Sequence, residues 1–554
     1  MLGAPDAATL FRLAVGLSLL IVVVAVVALD RPRGRWGAHL RSRFVLGVPW
    51  GTLVSVGVVL AVYLFVQGGW SDWYSPVTIP FRAWSYFYPL GLLAAGFSHS
   101  GAGHLVGNLV GTIVLAPVAE YAWGHFPRER GTQTFTSAWT NPYVRAFVVF
   151  PAVVVALGLF TAAFSLGPII GFSGVVFAFA GFALVRHPIT TVVALSAGNA
   201  VRTLYRALQT PTLSASAGPS YSSPWWADIA IQGHAVGLLA GVLLGVWFLR
   251  SSDAERPSAA RVAVGVVLFG VAQSMWAVYW YRGSETYVLY RAAGLALVVL
   301  LAALVAGTVA ASARPLLSAP ESPDALQAVP RWQVGGVALL LCTAAIAGPA
   351  VPINLMTAQS GDLPGESDPI TVRGYEVTYA EDVPNGMVSV IDVEAFGETT
   401  QVNTSGVIVR NRDRGIWMTA VSKGRLDFTG TTQVRVGGVG WRDSVRVRRT
   451  GWNAIGGGTV YRVGLAYGDR NVTAYTSPPA RADPVIAGRN VTLEAAPEGF
   501  RLNVSVGNRS SVAPMPATNQ TISVGGLEFL NVEGRVYALN GGTRVRVARQ
   551  ETYE

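Results

Sequence analysis

Three short stretches hold the side chains able to do covalent chemistry. GFSGVVFAFAG, Gly171–Gly181, sets one hydroxyl, Ser173, between Gly171 and Gly174 at the head of an apolar run. GHAVGLLAGVLLG, residues 233–245, carries one imidazole, His234. HSGAGHLVGN, residues 99–108, carries His99, His104 and Asn108. His104 and Asn108 are four apart, so they share one face of a helix. A serine attacks a carbonyl when a neighbouring base removes its proton, and an imidazole is suited to that. The attack makes an oxyanion, which needs fixed donors. Asn108 offers an amide N–H and His104 a ring N–H. Ser173 offers its own backbone N–H if it begins a helix. Singly, each residue also reads as packing or as a structural hydrogen bonder. The pattern carries weight only jointly, and only if the chain brings its parts together.

The elements that must do so are apolar helices. The chain is 51% hydrophobic and only 13% charged, against roughly 25% charged in soluble domains. Up to about residue 353 it consists of apolar runs of the length that crosses a bilayer, roughly 20 residues. Seven lie at 10–29, 44–67, 144–165, 229–249, 262–281, 291–312 and 333–353. Three more, at 99–119, 169–186 and 189–208, carry polar residues, the mark of functional sites in membrane proteins. Ten spans are expected. The arginines of RPRGRWGAHLRSR, 31–43, follow the first run instead of preceding it, so that run reads as a retained helix and not a signal peptide.

The net charge of +10 reads as membrane topology and not as nucleic-acid binding. Placing 31–43 inside puts the loops at 120–143, 186–188, 250–261 and 313–331 inside as well, and all contain arginine. The loops at 166–168 and 209–228 then fall outside and contain no Lys or Arg, whereas Arg82, Arg282 and Arg291 are external exceptions. The expectation is a multi-pass cell-membrane protein with its N-terminus and C-terminal domain outside.

Residues 354–554 alternate apolar and polar side chains, as in GVIVR (406–410) and GRVYAL (534–539), which is a strand pattern. A β-sandwich or a pair of small β-domains is expected. Cys342 is the only cysteine, so no internal disulfide helps it fold. Asn403, Asn471, Asn490, Asn503, Asn508 and Asn519 begin Asn-x-Ser/Thr sequons, all beyond residue 354, which would make it an external glycoprotein domain.

The glycines prescribe how two helices meet. Gly233, Gly237, Gly241 and Gly245 form a stripe on the His234 segment, and Gly174 and Ala178 lie on one face of the Ser173 segment. Packed backbone to backbone, these faces could bring Ser173 Oγ to a ring nitrogen of His234.

The three motifs, in order and spacing, resemble those of the rhomboid family of intramembrane serine proteases, over about residues 44–250. The resemblance implies a six-helix core, with Ser173 as nucleophile and His234 as general base in a dyad that needs no carboxylate. It implies His104 and Asn108 in the oxyanion hole, His99 as the first histidine of the motif, and supporting roles for Gly171, Gly174, Gly233 and Gly237. Glu120, in VAEYAWG, matches an acidic residue of the family. In PFRAW, 80–84, Phe81–Arg82 stands where the family has Trp-Arg. The implied activity is a serine endopeptidase that cuts in or near transmembrane segments of other membrane proteins, without a cofactor. Residue 1–43 would then be an extra helix and basic loop, 251–353 three further spans, and 354–554 an external β-rich domain dispensable for chemistry. Arg202 and Arg206 have no counterpart in this scheme.

Competing readings are a non-proteolytic rhomboid-like factor that binds membrane proteins, and a zinc hydrolase using His99, His104 and His234 with Ser173 as packing. Residue 175 is Val, so the Gly-x-Ser-x-Gly elbow of α/β-hydrolases is absent. No His-Glu-x-x-His occurs, and no Asp lies within a span. No paired inverted halves suggest a transporter.

Overall fold

The computed structural model describes residues 6–126, 135–214, 218–252, 255–312, 329–355, 363, 368–388, 394–395 and 397–554. Its first part is helical and its last part all-β. Among the described residues six helices are long and apolar enough to cross a membrane: Ala7–Asp30, Ala102–Trp123, Pro142–Phe164, Ile231–Arg250, Arg291–Ala310 and Arg331–Leu355. Three shorter apolar helices, Trp50–Val66, Ser173–Arg186 and Ala259–Ala272, lie among them. Pro188–Gln209 is long but more polar.

All ten expected segments are thus helical, with altered ends. The serine helix starts at Ser173 and not at 169, because Pro168 and Gly171, at φ +134°, lie in irregular backbone before it. The segment expected over 262–281 stops at Ala272, where Gln273 and Ser274 leave helical geometry, Ser274 at φ +58°. Tyr279–Tyr281 then pairs with Tyr287–Leu289 in a hairpin. Part of the basic stretch 31–43 forms the helix Arg35–Arg43. Residues 127–134 and 313–328 of two expected loops lie outside the described residues.

The two ends of the helical layer differ in chemistry. At one end arginines tie helix ends together: Arg43 donates to the carbonyls of Tyr121 (3.0 Å) and Ala122 (2.9 Å), Arg145 to Gly124 (3.0 Å), and Arg250 to Thr308 (3.0 Å). At the other end sits the β-part. It meets the 72–88 loop through Arg442, which pairs with Asp72 and donates to Ser75 O at 2.8 Å. It meets the 279–289 hairpin through Trp280, whose ring N–H donates to Thr399 O at 3.2 Å. The 72–88 loop and the 279–289 hairpin therefore share one face with the β-part.

Among the described residues the β-part has two large cores and a small cluster of Ala380, Ile408 and Trp417. Val377, Val409, Val445 and Val463 belong to the first, and Val491, Leu502, Phe529 and Val547 to the second. One strand, Trp441–Ala454, runs through both, giving Val445 and Val447 to the first and Trp452 and Ala454 to the second. The result is a fused pair of β-units. Ile79, Trp84 and Tyr88, from the loop after the Trp50–Val66 helix, are buried in the first core. The boundary at 354 is therefore a change of secondary structure but not a packing boundary, because the loop's apolar side chains need a cover that only the strands provide. Among the sequons, Asn403, Asn471, Asn508 and Asn519 are exposed, while Asn490 and Asn503 are half-buried.

Candidate active site

Ser173 is the first residue of its helix, so its own N–H has no partner within that helix. Its Oγ lies 2.8 Å from Nε2 of His234, a hydrogen bond that joins two helices across 61 residues of sequence. The glycine stripe brings them this close. A Cβ at Gly237 would collide with the carbonyl oxygen of Gly174, and one at Gly241 with that of Ala178. From the other side, a Cβ on Gly181 would strike Leu238 O. Gly233 lies against Ser165 Oγ and Gly174 against the Thr161 side chain, at 2.6 and 2.9 Å from an added Cβ.

His234 lacks the third partner of a triad. Its Nδ1 is buried and has no hydrogen-bond partner among the described residues. The ring is held by stacking instead: it lies on Phe177, with centroids 4.2 Å apart and planes inclined by 10°. Phe177 is one turn from Ser173 on the same helix, so a single helix carries both the hydroxyl and the ring on which the imidazole bonded to it lies. Phe269, from the Ala259–Ala272 helix, meets Phe177 edge-on at 5.4 Å. Gln232, two residues before His234, donates to Phe164 O (2.9 Å) and Ile346 O (2.8 Å) and accepts from Leu166 N (2.9 Å). The helices after residue 250 thus buttress the site. Phe177 and Gln232 escaped the sequence reading because an aromatic in an apolar run and a polar residue at a helix start both look ordinary.

The polar groups of the Ala102–Trp123 helix gather before Ser173. Asn108 Nδ2 lies 3.0 Å from Nε2 of buried His99. One of the two amide hydrogens serves His99, and the other is free to stabilise an oxyanion. His99 thereby fixes the orientation of the Asn108 amide. It is held in turn by Gln67, which accepts from His99 N at 2.7 Å and donates to His99 O at 2.8 Å. His104 Nδ1 lies 3.0 Å from Ser100 Oγ. With that hydroxyl donating, the ring proton sits on Nε2, beside Gly171. Gly171 leaves room there: an added Cβ would come within 2.8 Å of His104 Nε2 and 3.6 Å of Asn108 Nδ2. Its φ of +134° is also one that other residues rarely adopt.

The segment before Ser173 is fixed by the 72–98 loop. Ala83 N donates to Ile169 O at 3.1 Å, Gly171 N to Ala95 O at 2.9 Å, and Arg82 Nη1 to Pro168 O at 3.2 Å. Arg82 therefore holds backbone five residues before Ser173, while Phe81 is buried.

Glu120 lies away from Ser173. It accepts from the backbone N–H of Gly51 and Thr52, both at 2.8 Å, at the start of the Trp50–Ala61 helix. His125 Nε2 approaches it to 2.6 Å, while His125 Nδ1 accepts from Val45 N at 2.9 Å. The carboxylate caps a helix and closes a buried network.

Ser173, His234, His104 and Asn108 line one cavity of about 520 Å³. Arg202, Arg206 and Asp228 line it too. The three histidines do not converge on a common point, since His99 Nε2 faces Asn108, His104 Nδ1 faces Ser100 and His234 Nε2 faces Ser173. Among the described residues no group of three or more His, Cys, Asp or Glu is arranged to hold a metal ion. This geometry gives a three-histidine zinc site no support, since one ring nitrogen of each histidine is turned to a different neighbour. No family model, curated protein or solved structure matches the chain.

Proposed function

We propose that the chain is a polytopic membrane serine protease of rhomboid type, cutting peptide bonds in or beside transmembrane segments of other membrane proteins. The observation that carries this reading is the 2.8 Å contact between Ser173 Oγ and His234 Nε2, in a cavity shared with Asn108 and His104. The Ser173 oxygen attacks the scissile carbonyl carbon as its proton passes to His234 Nε2. The tetrahedral oxyanion is stabilised by Asn108 Nδ2, His104 Nε2 and the Ser173 N–H. His234 then gives the proton to the departing amine, and the C–N bond breaks. Water enters the cavity, loses a proton to His234 and attacks the acyl-serine; collapse releases the carboxylate and restores the hydroxyl. Stacking on Phe177 orients the imidazole throughout, in place of a carboxylate.

Six long apolar helices and the arginine-rich end of the bundle support a multi-pass protein with that end inside. The β-part and the N-terminus then lie outside, and the cavity opens towards that side. The substrate is a membrane protein with a transmembrane helix, locally unwound at the cut because helical backbone is shielded.

Detergent-solubilised protein should be labelled by a fluorophosphonate at Ser173, and Ser173→Ala should lose the label. Ser173→Ala and His234→Ala should each abolish cleavage of a transmembrane peptide, with no further loss in the double variant, because the two groups act as a unit. Turnover by Ser173→Ala at the wild-type rate would exclude the dyad.

A further inference from the structure

The Pro188–Gln209 helix presents Leu195, Asn199, Arg202, Arg206 and Gln209 to the cavity that holds Ser173. This spacing of three and four residues marks one face. A guanidinium on a helix among membrane spans is expensive unless it faces water or a partner. Here the Nε of Arg202 is buried without a hydrogen-bond partner, and neither arginine forms an ion pair among the described residues. Asp228 lines the same cavity but pairs with neither. Across the cavity, Gly103 and Gly107 have nothing within 4 Å of where a Cβ would stand. The space is therefore open to a chain, bounded on one side by glycines and on the other by two uncommitted cations.

We propose that Arg202 and Arg206 bind a carboxylate side chain of the substrate within this cavity, making Asp or Glu near the scissile bond a determinant of substrate choice. The proposal rests on the protease reading for its link to cleavage, but the binding it describes can be measured without turnover. A guanidinium meets a carboxylate through two parallel N–H···O bonds, which amide side chains cannot match. Peptide is favoured over a lipid headgroup because the arginines line the cavity of Ser173 itself.

The test uses full-length protein in detergent and a set of fluorescent transmembrane peptides. Each has a Gly-Ala break and Asp, Asn or Lys at one of the positions flanking it. At the matching position, wild type should prefer Asp over Asn about tenfold in kcat/KM, and the Ser173→Ala protein should show a similar ratio in Kd. Arg202→Gln combined with Arg206→Gln should bring both ratios to within twofold. Arg202→Glu with Arg206→Glu should turn the preference towards Lys. If those variants misfold, the Asp preference of wild type should still shrink between 50 mM and 500 mM NaCl. Asp, Asn and Lys peptides bound equally by Ser173→Ala at every position would overturn the proposal. So would an Asp preference that survives in the double glutamine variant. No peptide preference, together with arginine-dependent binding of vesicles rich in anionic lipid, would overturn it in favour of headgroup contact. Arginine-dependent Asp preference in binding, without cleavage of any peptide, would uphold it and remove the protease reading alone.

Discussion

Between the serine and histidine helices, glycine lets backbone touch backbone. Gly237 and Gly241 sit against the carbonyls of Gly174 and Ala178, and Gly181 sits against that of Leu238. Between the Ala102–Trp123 and Pro188–Gln209 helices, the same residue leaves a space: Gly103 and Gly107 face nothing within 4 Å. One seam is closed and holds Ser173 and His234 at hydrogen-bond distance. The other is open and borders the cavity. Absence of a side chain thus serves positioning in one place and access in the other, and only the neighbouring helix decides which.

The largest effect is expected at the closed seam. Gly237→Leu should lower kcat/KM more than 10²-fold, since a misplacement of about 1 Å already costs about that much. The melting temperature should fall as well, because the leucine must displace backbone. Near-normal hydrolysis would show that the seam is not what holds Ser173 and His234. Asn108→Ala tests the group beside Gly171; the loss of one oxyanion donor costs on the order of 10²–10³ in a soluble serine protease, and the lower end is expected with two other donors present. Fluorophosphonate labelling should fall less than peptide hydrolysis.

A smaller effect is expected from deleting residues after 355. The sequence suggests that this domain is dispensable for chemistry. Its removal, however, exposes Ile79, Trp84 and Tyr88, whose loop holds the backbone ahead of Ser173 through Ala83 and Arg82. Labelling of Ser173 should drop about tenfold, since fully burying one such side chain is worth roughly 1.5–3 kcal/mol and the loop would lose that anchor. Labelling at the wild-type rate would show that the loop keeps its shape unaided. The smallest change belongs to the open seam. Gly107→Leu should leave the melting temperature unchanged or raised, since glycine within a helix costs roughly 0.5–1 kcal/mol. It should raise KM several-fold by filling space. A fall in stability comparable to that of Gly237→Leu would erase the distinction between the seams.

The helices were largely legible because hydropathy and length are local properties of the chain. The end of the Ala259–Ala272 helix was not, because nothing in 273–281 forbids helix; the hairpin there is stabilised by pairing with Tyr287–Leu289. His99 could be singled out as a costly polar residue, but its part in holding Asn108 needed coordinates, as did the use of Glu120 as a helix cap. Phe177 looked like any apolar residue until the imidazole was found lying on it.

By itself the sequence determined which residues could react, which segments were apolar helices, where strands began and which faces could approach closely. Periodicity, composition and side-chain chemistry are enough for that. Tertiary structure alone decided that Ser173 and His234 meet, that the His234 ring lies on Phe177, that Arg202 and Arg206 border the same cavity, and that Ile79, Trp84 and Tyr88 of the 72–88 loop join the core of the β-part. Those are distances between segments remote in sequence, and they depend on how helices and strands pack, which no local pattern encodes.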